Sequence, residues 1–421
     1  MIVKLASGRG AVQVDLRGLR CHVLQPAAPR ATAAPQALAA AALDRPLAGA
    51  PLSELARGTR RVTLLVPDAT RAAQLPAVLP VIVERLAAAG VATASITVLV
   101  ACGTHPPAPA RELAALLGPL PEGIRVLQHD ARDDTSLVVA GTLPTGLTVR
   151  LHRALLQADR VVAVSSLAHH YFAGFTGGPK LVFPGVAGYE EIQRNHARVL
   201  DLEHQPPRRH PACEPGRVVG NPVAEEIRAA AALRPPDIML TMIRGRDGRP
   251  AWMAAGPLDA VMQEGVARLR QWYEVTAGPF ERLVVSGGGY PFDHTLIQAH
   301  KALDAACRFA APGAEVLFVA ACEGGPGSPA MEPFLANPQP EAILAQLAER
   351  YVQYGHTTLR LVEKTARYRV AVSTRLPEEL VRRLGMTPVG DPQRVLDGWR
   401  ESAAGTVIAV LADAPVYPAG A

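Results

Sequence analysis

At 421 residues and 49% hydrophobic content, the chain is long enough to bury more than one core, so two domains of ordinary size are expected. A net charge of +5 with aromatics at only 5%, and no basic block interleaved with aromatic residues, points to small anionic ligands and away from nucleic acid. Five cysteines (Cys21, Cys102, Cys213, Cys307, Cys322) in no paired spacing, an N-terminal MIVKLASGRG without an apolar signal core, and no run long enough to span a bilayer predict a soluble, cytoplasmic protein with reduced thiols, no structural zinc and no membrane partner.

In chain order, VTLLV (62–66) predicts a strand and PAVLPVIVERLAAAG (76–90) an amphipathic helix. ITVLVA (96–101) and ARELAALLG (110–118) repeat the pair, and RVVAVSS (160–166) leads into a glycine-rich loop. Residues 203–222 carry too much Pro and Gly for a regular element, after which EEIRAAAAL (225–233) resumes a helix. A second series follows: RLVVSGG (282–288), TLIQAHKALDAACRFA (295–310), EVLFVAA (315–321) and RVAVS (369–373). Alternating strands and helices imply an α/β fold of two Rossmann-like domains, each a mostly parallel sheet flanked by helices, with an active site expected in the interdomain cleft. The expected boundary is Gly278-Pro279, giving domains 1–278 and 279–404, with TVIAVL (406–411) in the segment 405–421 free to return to the first sheet.

The unusual polar residues fall after the predicted strands. VTLLV runs into Pro67-Asp68-Ala69-Thr70-Arg71, ITVLVA into Cys102-Gly103-Thr104-His105, and RVVAVSS into Leu167-Ala168-His169-His170. Ligands of open parallel sheets bind at the carboxyl edge, so Asp68, Arg71, His105, His170 and Lys180 can converge there. The bland alternative makes Asp68 and Thr104 helix caps and the histidines solvated surface groups. GFTGGPK (174–180) is not a Walker loop, because Pro179 separates Gly178 from Lys180 and Leu181 replaces the hydroxyl residue. Its glycines could still present N–H groups to a phosphate. From the residues alone Lys180 could serve that loop, form a Schiff base or be a solvated lysine.

Three segments together resemble the nickel-pincer lactate racemase family from about residue 10 to the C-terminus. DATR (68–71) resembles its Asp-x-Thr-Arg segment and GTHPP (103–107) its Gly-x-His-Arg-Pro segment. HYFAGFTGGPKLVFPGVAGYEEIQRNH (170–196) is similar to the family's longest motif, with one histidine ten residues before the lysine and another sixteen after it. Two departures are Ala72, where the family commonly has Pro, and Pro179 before the lysine. The resemblance implies a nickel-pincer nucleotide, the pyridinium-3-thioamide-5-thiocarboxylate mononucleotide of Ni(II). Lys180 would tether it, His196 would ligate nickel, and Asp68, Thr70, Thr176, Gly177 and Gly178 would surround it. Soft sulfur ligands and one imidazole suit Ni(II) rather than tetrahedral zinc.

The implied activity is racemisation or epimerisation of a 2-hydroxy acid. Removing the C2 hydrogen as hydride leaves a neutral keto group, whereas removing it as a proton leaves a costly dianion. The hydroxyl proton must leave with the hydride, so a base is expected for each antipode, and His105 and His170 are the candidates. Arg71 and Lys301 would hold the carboxylate with Gln298 beside them, because QAHK (298–301) resembles the family's Gln-x-x-Lys segment. Ile297 stands where lactate-selective members often have Tyr, residues 351–358 lack their Trp, and His300 and His356 add polarity. A larger or more polar acid, such as a dicarboxylate or sugar acid, is therefore expected, with the cofactor-biosynthesis enzymes as partners. Two alternatives come from other classes: a zinc-dependent hydrolase using His105, His170 and His196, although no HExxH spacing is present, and a cofactor-free organic-acid-binding protein.

Overall fold

A computed structural model describes residues 1–71, 73–402, 406–412 and 415–420. Ala72, the departure from the family's proline, lies outside them, as do residues 405, 413, 414 and 421 of the C-terminal segment. Twelve of the strands build two larger sheets: β1 (Arg20–Val23), β2 (Val62–Pro67), β3 (Ile96–Ala101), β4 (Arg125–Gln128), β5 (Arg160–Ser166), β6 (Ile238–Arg244), β7 (Pro250–Gly256), β8 (Phe280–Ser286), β9 (Ala310–Val319), β10 (Arg369–Ser373), β11 (Thr387–Pro388) and β12 (Val407–Leu411).

The chain divides into two compact units. Ala28–Arg198 with Pro211–Gln271 forms one, here the histidine unit. Met1–Ala27, Val199–His210 and Trp272–Ala421 form the other, the terminal unit. This differs from a single boundary at Gly278-Pro279, because residues 1–27 and 199–210 group with the C-terminal series. The last strand differs as well. β12 pairs with β8 and β1 in the terminal unit's sheet and does not return to the other. Periodicity marks a strand without naming its neighbour, so the residues alone could not assign it.

The histidine unit's sheet has the order β7-β6-β5-β2-β3-β4, parallel except for the β6–β7 pair. All six residues of β2 are buried, as expected of a parallel strand covered on both faces. The helix Leu75–Ala88 contributes one of those covers. It turns Leu75, Val78, Leu79, Ile82 and Leu86 into a core shared with Leu64, Val66, Val98 and Val100. Removing a side chain such as Leu64 from this core costs about 2–5 kcal/mol. The chain enters the sheet at β2, moves outward to β3 and β4, then crosses to β5 on the other flank. The order therefore reverses between β2 and β5, which is where a doubly wound sheet opens a crevice at its carboxyl edge.

The terminal unit's sheet runs β11-β10-β9-β8-β12-β1 and is parallel throughout. Val284, Leu317, Val319, Ile408 and Val410 pack with Leu5, Val14, Leu396 and Trp399 in its core. None of the five cysteines is in a disulfide, and among the described residues no helix is long and apolar enough to cross a membrane.

Candidate active site

β2 ends at Pro67, and the turn after it fixes the Asp68 carboxylate. One oxygen accepts from the Thr70 N–H at 3.1 Å and the Thr70 hydroxyl at 2.6 Å; the other lies 2.6 Å from His105 Nδ1. Burial pushes the Asp68 carboxyl up. The His105 hydrogen bond and charge, the Thr70 hydroxyl and the Arg71 charge outweigh it, holding the group below its ordinary value and ionised. His105 arrives from β3 by a turn in which its N–H donates to the Cys102 carbonyl at 3.0 Å. Gly103 in that turn has φ +56°, a region glycine enters without strain, and its N–H donates to the Gly185 carbonyl at 2.9 Å. This bond joins the His105 turn to the chain that follows Lys180. Burial, followed by the nearby Asp68 charge, pushes the Cys102 thiol up to about 12, so it is not a thiolate nucleophile.

β5 leads into a short antiparallel pair, His169–His170 against Gly174–Phe175. Thr176 fastens this hairpin. Its N–H donates to the Ala168 carbonyl at 2.7 Å, its hydroxyl donates to the Ser166 carbonyl at 3.0 Å, and the same oxygen accepts from the Ala168 N–H at 2.9 Å. A Cβ at Gly177 would lie 2.7 Å from the Ser166 carbonyl, and one at Gly178 would lie 2.4 Å from Met262 Sδ. Their φ values of +67° and +54°, with the rigid Ser166 carbonyl against Gly177, favour glycine at both positions, whatever ligand they meet. The Gly178 N–H also points to Ser165 Oγ, at 3.4 Å. His170 Nδ1 accepts the Ala173 N–H at 3.2 Å.

Phe172 is the residue that sequence reasoning missed. Its ring centroid lies 4.6 Å from that of His170, 5.3 Å from that of His196 and 5.7 Å from Lys180 Nζ. An aromatic between two histidines and a glycine loop was the available signal, but it also reads as ordinary core. Lys180 stands in the 3-10 turn Gly178–Leu181. His196 lies in the last turn of the helix Tyr189–Ala197, whose first turn carries Glu190 and Glu191 and whose last turn carries Arg194, the charge order a helix dipole favours. His196 is buried, and its Nδ1 makes no hydrogen bond of normal geometry. Burial first, then the Lys180 charge, push its pKa down to about 3, with the Ile192 carbonyl opposing. At neutral pH it is therefore an uncharged imidazole, the form that binds a metal.

The expected residues thus gather as Asp68, Thr70 and His105 in one group and His170, Lys180 and His196 around Phe172 in a second. Gln298 and Lys301 belong to the terminal unit, on the helix Leu296–Ala306, where Lys301 Nζ donates to Gln298 Oε1 at 2.7 Å. His300 and His356, expected to add polarity for the substrate, are both fully buried. His300 Nδ1 lies 2.8 Å from the Ile297 carbonyl and His356 Nδ1 lies 2.7 Å from the Tyr351 hydroxyl. Both side chains serve the interior.

The fold and site define a doubly wound α/β protein with a lysine–histidine centre at the carboxyl edge of one sheet. The family models described as the lactate racemase N-terminal domain and the lactate racemase C-terminal domain match residues 8–206 and 275–391, and the chain belongs to the lactate racemase family. The lactate racemase of Lactiplantibacillus plantarum is 28% identical over 286 residues, covering 68% of this chain and 66% of that protein. The lactate racemase of Thermoanaerobacterium thermosaccharolyticum is 27% identical over 290 residues, with the same 68% and 66% coverage. These alignments span just under two thirds of each relative's length. The solved lactate racemase apoprotein from Thermoanaerobacterium thermosaccharolyticum has the same fold, with TM-score 0.86 at 22% identity over 99% of each chain. A crystal structure from Thermotoga maritima matches at TM-score 0.65 and 16% identity, covering 87% of this chain and 95% of that one.

Proposed function

We propose that this chain is a 2-hydroxy acid racemase or epimerase working with a nickel-pincer nucleotide. The observation that carries the reading is the Phe172 ring, bordered by the Lys180 amine, by His170 and by a neutral, buried His196 whose Nδ1 is orphaned. Lys180 fits the tether and His196 the nickel ligand. Thr176 and Gly178 spend donors inside the chain, so a nucleotide phosphate would draw on other groups of the loop, Gly177 among them. Asp68 and Thr70 would act on the site through His105. When bound, the cofactor supplies an acceptor for the C2 hydrogen as hydride.

The chain's own task is the proton. His105 Nε2 takes the substrate hydroxyl proton from one antipode and His170 takes it from the other, each returning it in the reverse direction. Arg71, Lys301 and Gln298 are proposed to hold the carboxylate. The named relatives support lactate as a substrate, while Ile297 and the absence of Trp from residues 351–358 support a wider range of 2-hydroxy acids. The enzyme would work in the cytoplasm, where thiols stay reduced, with the cofactor-building enzymes as partners. The zinc-hydrolase reading finds less support, since among the described residues no three His, Cys, Asp or Glu side chains gather to hold a metal and His105 is committed to Asp68.

The test is a panel of enantiopure 2-hydroxy acids given to protein coproduced with the cofactor-making enzymes, in deuterated solvent. Inversion at C2 with retention of the C2 protium is expected. Inversion with solvent deuterium at C2 contradicts hydride transfer, and binding without inversion across the panel supports an organic-acid-binding protein instead.

A further inference from the structure

We propose that Asp68 is the positioning residue of His105, and that the two histidines are held in opposite tautomers, so that the resting enzyme is set for one antipode. The inference rests on the racemase reading of His105 and His170, but its main measurement does not. The ionised Asp68 carboxylate can only accept a hydrogen bond, so the 2.6 Å contact requires the proton of the neutral His105 ring on Nδ1 and leaves the lone pair on Nε2. The two Thr70 donors on the other oxygen stop the carboxylate from turning away. His170 is the reverse case. The Ala173 N–H occupies its Nδ1 lone pair, so the neutral ring carries its proton on Nε2.

The consequence is unequal half-reactions. For the antipode whose hydroxyl faces His105, the O–H bond breaks and an Nε2–H bond forms. The electron pair left on oxygen closes the carbonyl as the C2 hydrogen departs with its own pair, for which the bound cofactor would supply the acceptor. Asp68 stabilises the positive ring that results, as the buried aspartate does in serine proteases. For the other antipode, His170 must first change tautomer, taking a proton from water at Nδ1 and releasing its Nε2 proton to water. The Ala173 hydrogen bond then breaks and the 170–173 turn shifts before Nε2 can accept.

Nitrogen-15 histidine spectra of the apoprotein at mildly alkaline pH test this without cofactor. His105→Gln and His170→Gln identify the two rings. His105 is expected as the Nδ1–H tautomer and His170 as the Nε2–H tautomer in the unsubstituted protein. The opposite tautomer at either ring overturns the inference, and this reading needs no variant to fold. In Asp68→Asn, the Thr70 donors hold the amide oxygen and turn the NH2 toward His105. Its tautomer should switch to Nε2–H while His170 stays unchanged, and an unswitched His105 in a folded variant also overturns the proposal. His129, whose Nε2 lies 2.9 Å from the Ala187 carbonyl, reports that the fold persists. In loaded enzyme, Asp68→Asn should slow the half-reaction of one antipode on the order of 10²–10⁴-fold with KM little changed, and the other less than tenfold. Equal loss for both antipodes contradicts it. If the spectra agree and no 2-hydroxy acid is inverted, the racemase reading fails and the tautomer assignment stands.

Discussion

The two units share one wiring plan and use its edge differently. In the histidine unit the chain enters at the inner strand β2, works outward to β4 and then crosses to β5. In the terminal unit the edge strand β1 is laid first, after which the chain starts again at the inner strand β8, works outward to β11 and returns to β12, so the order reverses at β2/β5 and at β8/β12. Beyond β2, β3 and β5, the polar side chains pair with each other or gather around Phe172: Asp68 with His105, and His170 with Lys180 and His196. Beyond β8, they tie the chain together. Ser286 Oγ donates to the Ala6 carbonyl at 2.8 Å, and the buried Asp293 accepts from the Gly8 and Ala321 N–H groups at 2.8 and 3.0 Å. The wiring places a crevice, and the side chains decide whether it holds reactive groups or structural ones.

Lys180→Ala should break the comparison most severely. It removes the proposed tether, so coproduced protein should lose the bound cofactor and fall to background turnover; retained adduct with normal turnover would move the tether elsewhere. His105→Ala and His170→Ala should each lower net racemisation on the order of 10²–10⁴-fold, measured by chiral chromatography, with each variant still forming keto acid from a different enantiomer in rapid mixing.

A substitution in the terminal unit should cost stability and spare chemistry. Asp304, buried on the Leu296–Ala306 helix, pairs with Arg360, Lys364 and Arg308 at 2.9, 2.5 and 3.5 Å, which hold its carboxyl well below the usual range despite burial. Asp304→Ala leaves buried cations without their carboxylate and should cost about 3–5 kcal/mol in denaturant unfolding, while leaving the His105 and His170 nitrogen-15 signals in place. Moved signals would show that the units are not separable in this way.

The smallest effect is one the units should share. Burial holds His129 of the histidine unit down to about 4 and His300 of the terminal unit down to about 3, the nearby Lys364 charge adding to the latter. Unfolded histidine titrates near 6.5, so between that value and the folded one the unfolded chain binds the extra proton. This stability is present above about pH 6.5 and is lost as pH falls, by about 2 kcal/mol for each histidine near pH 5. Urea unfolding at the two pH values measures it, and equal midpoints would contradict neutral burial.

What could be read in the sequence was local. The buried β-branched runs gave the strands, and Asp68, His105 and His170 fell at their ends because a loop must leave a strand there. Lys180 and His196 came from the resemblance to the family's longest motif, which places one histidine ten residues before the lysine and another sixteen after it. Long-range information was absent. Nothing in residues 20–23 announces β12 as their partner, and the Ala-rich chain after them hides the change of unit. Asp68 was legible as polar and well placed, but its two oxygens are divided between Thr70 and His105 by a turn geometry that composition does not encode. Gly177 and Gly178 read as ligand-facing, and their left-handed φ, with the Ser166 carbonyl against Gly177, gives a second reason for glycine that composition does not encode.

A covalent cofactor on Lys180, at the carboxyl edge of the histidine unit, is the proposal on which the other residue roles depend. Intact mass followed by peptide mapping, on protein coproduced with the cofactor-making enzymes, tests it most directly. A single added mass is expected, confined to the peptide that contains Lys180 and absent from Lys180→Ala. An adduct on another residue, or an unmodified chain that still inverts a 2-hydroxy acid, would contradict it.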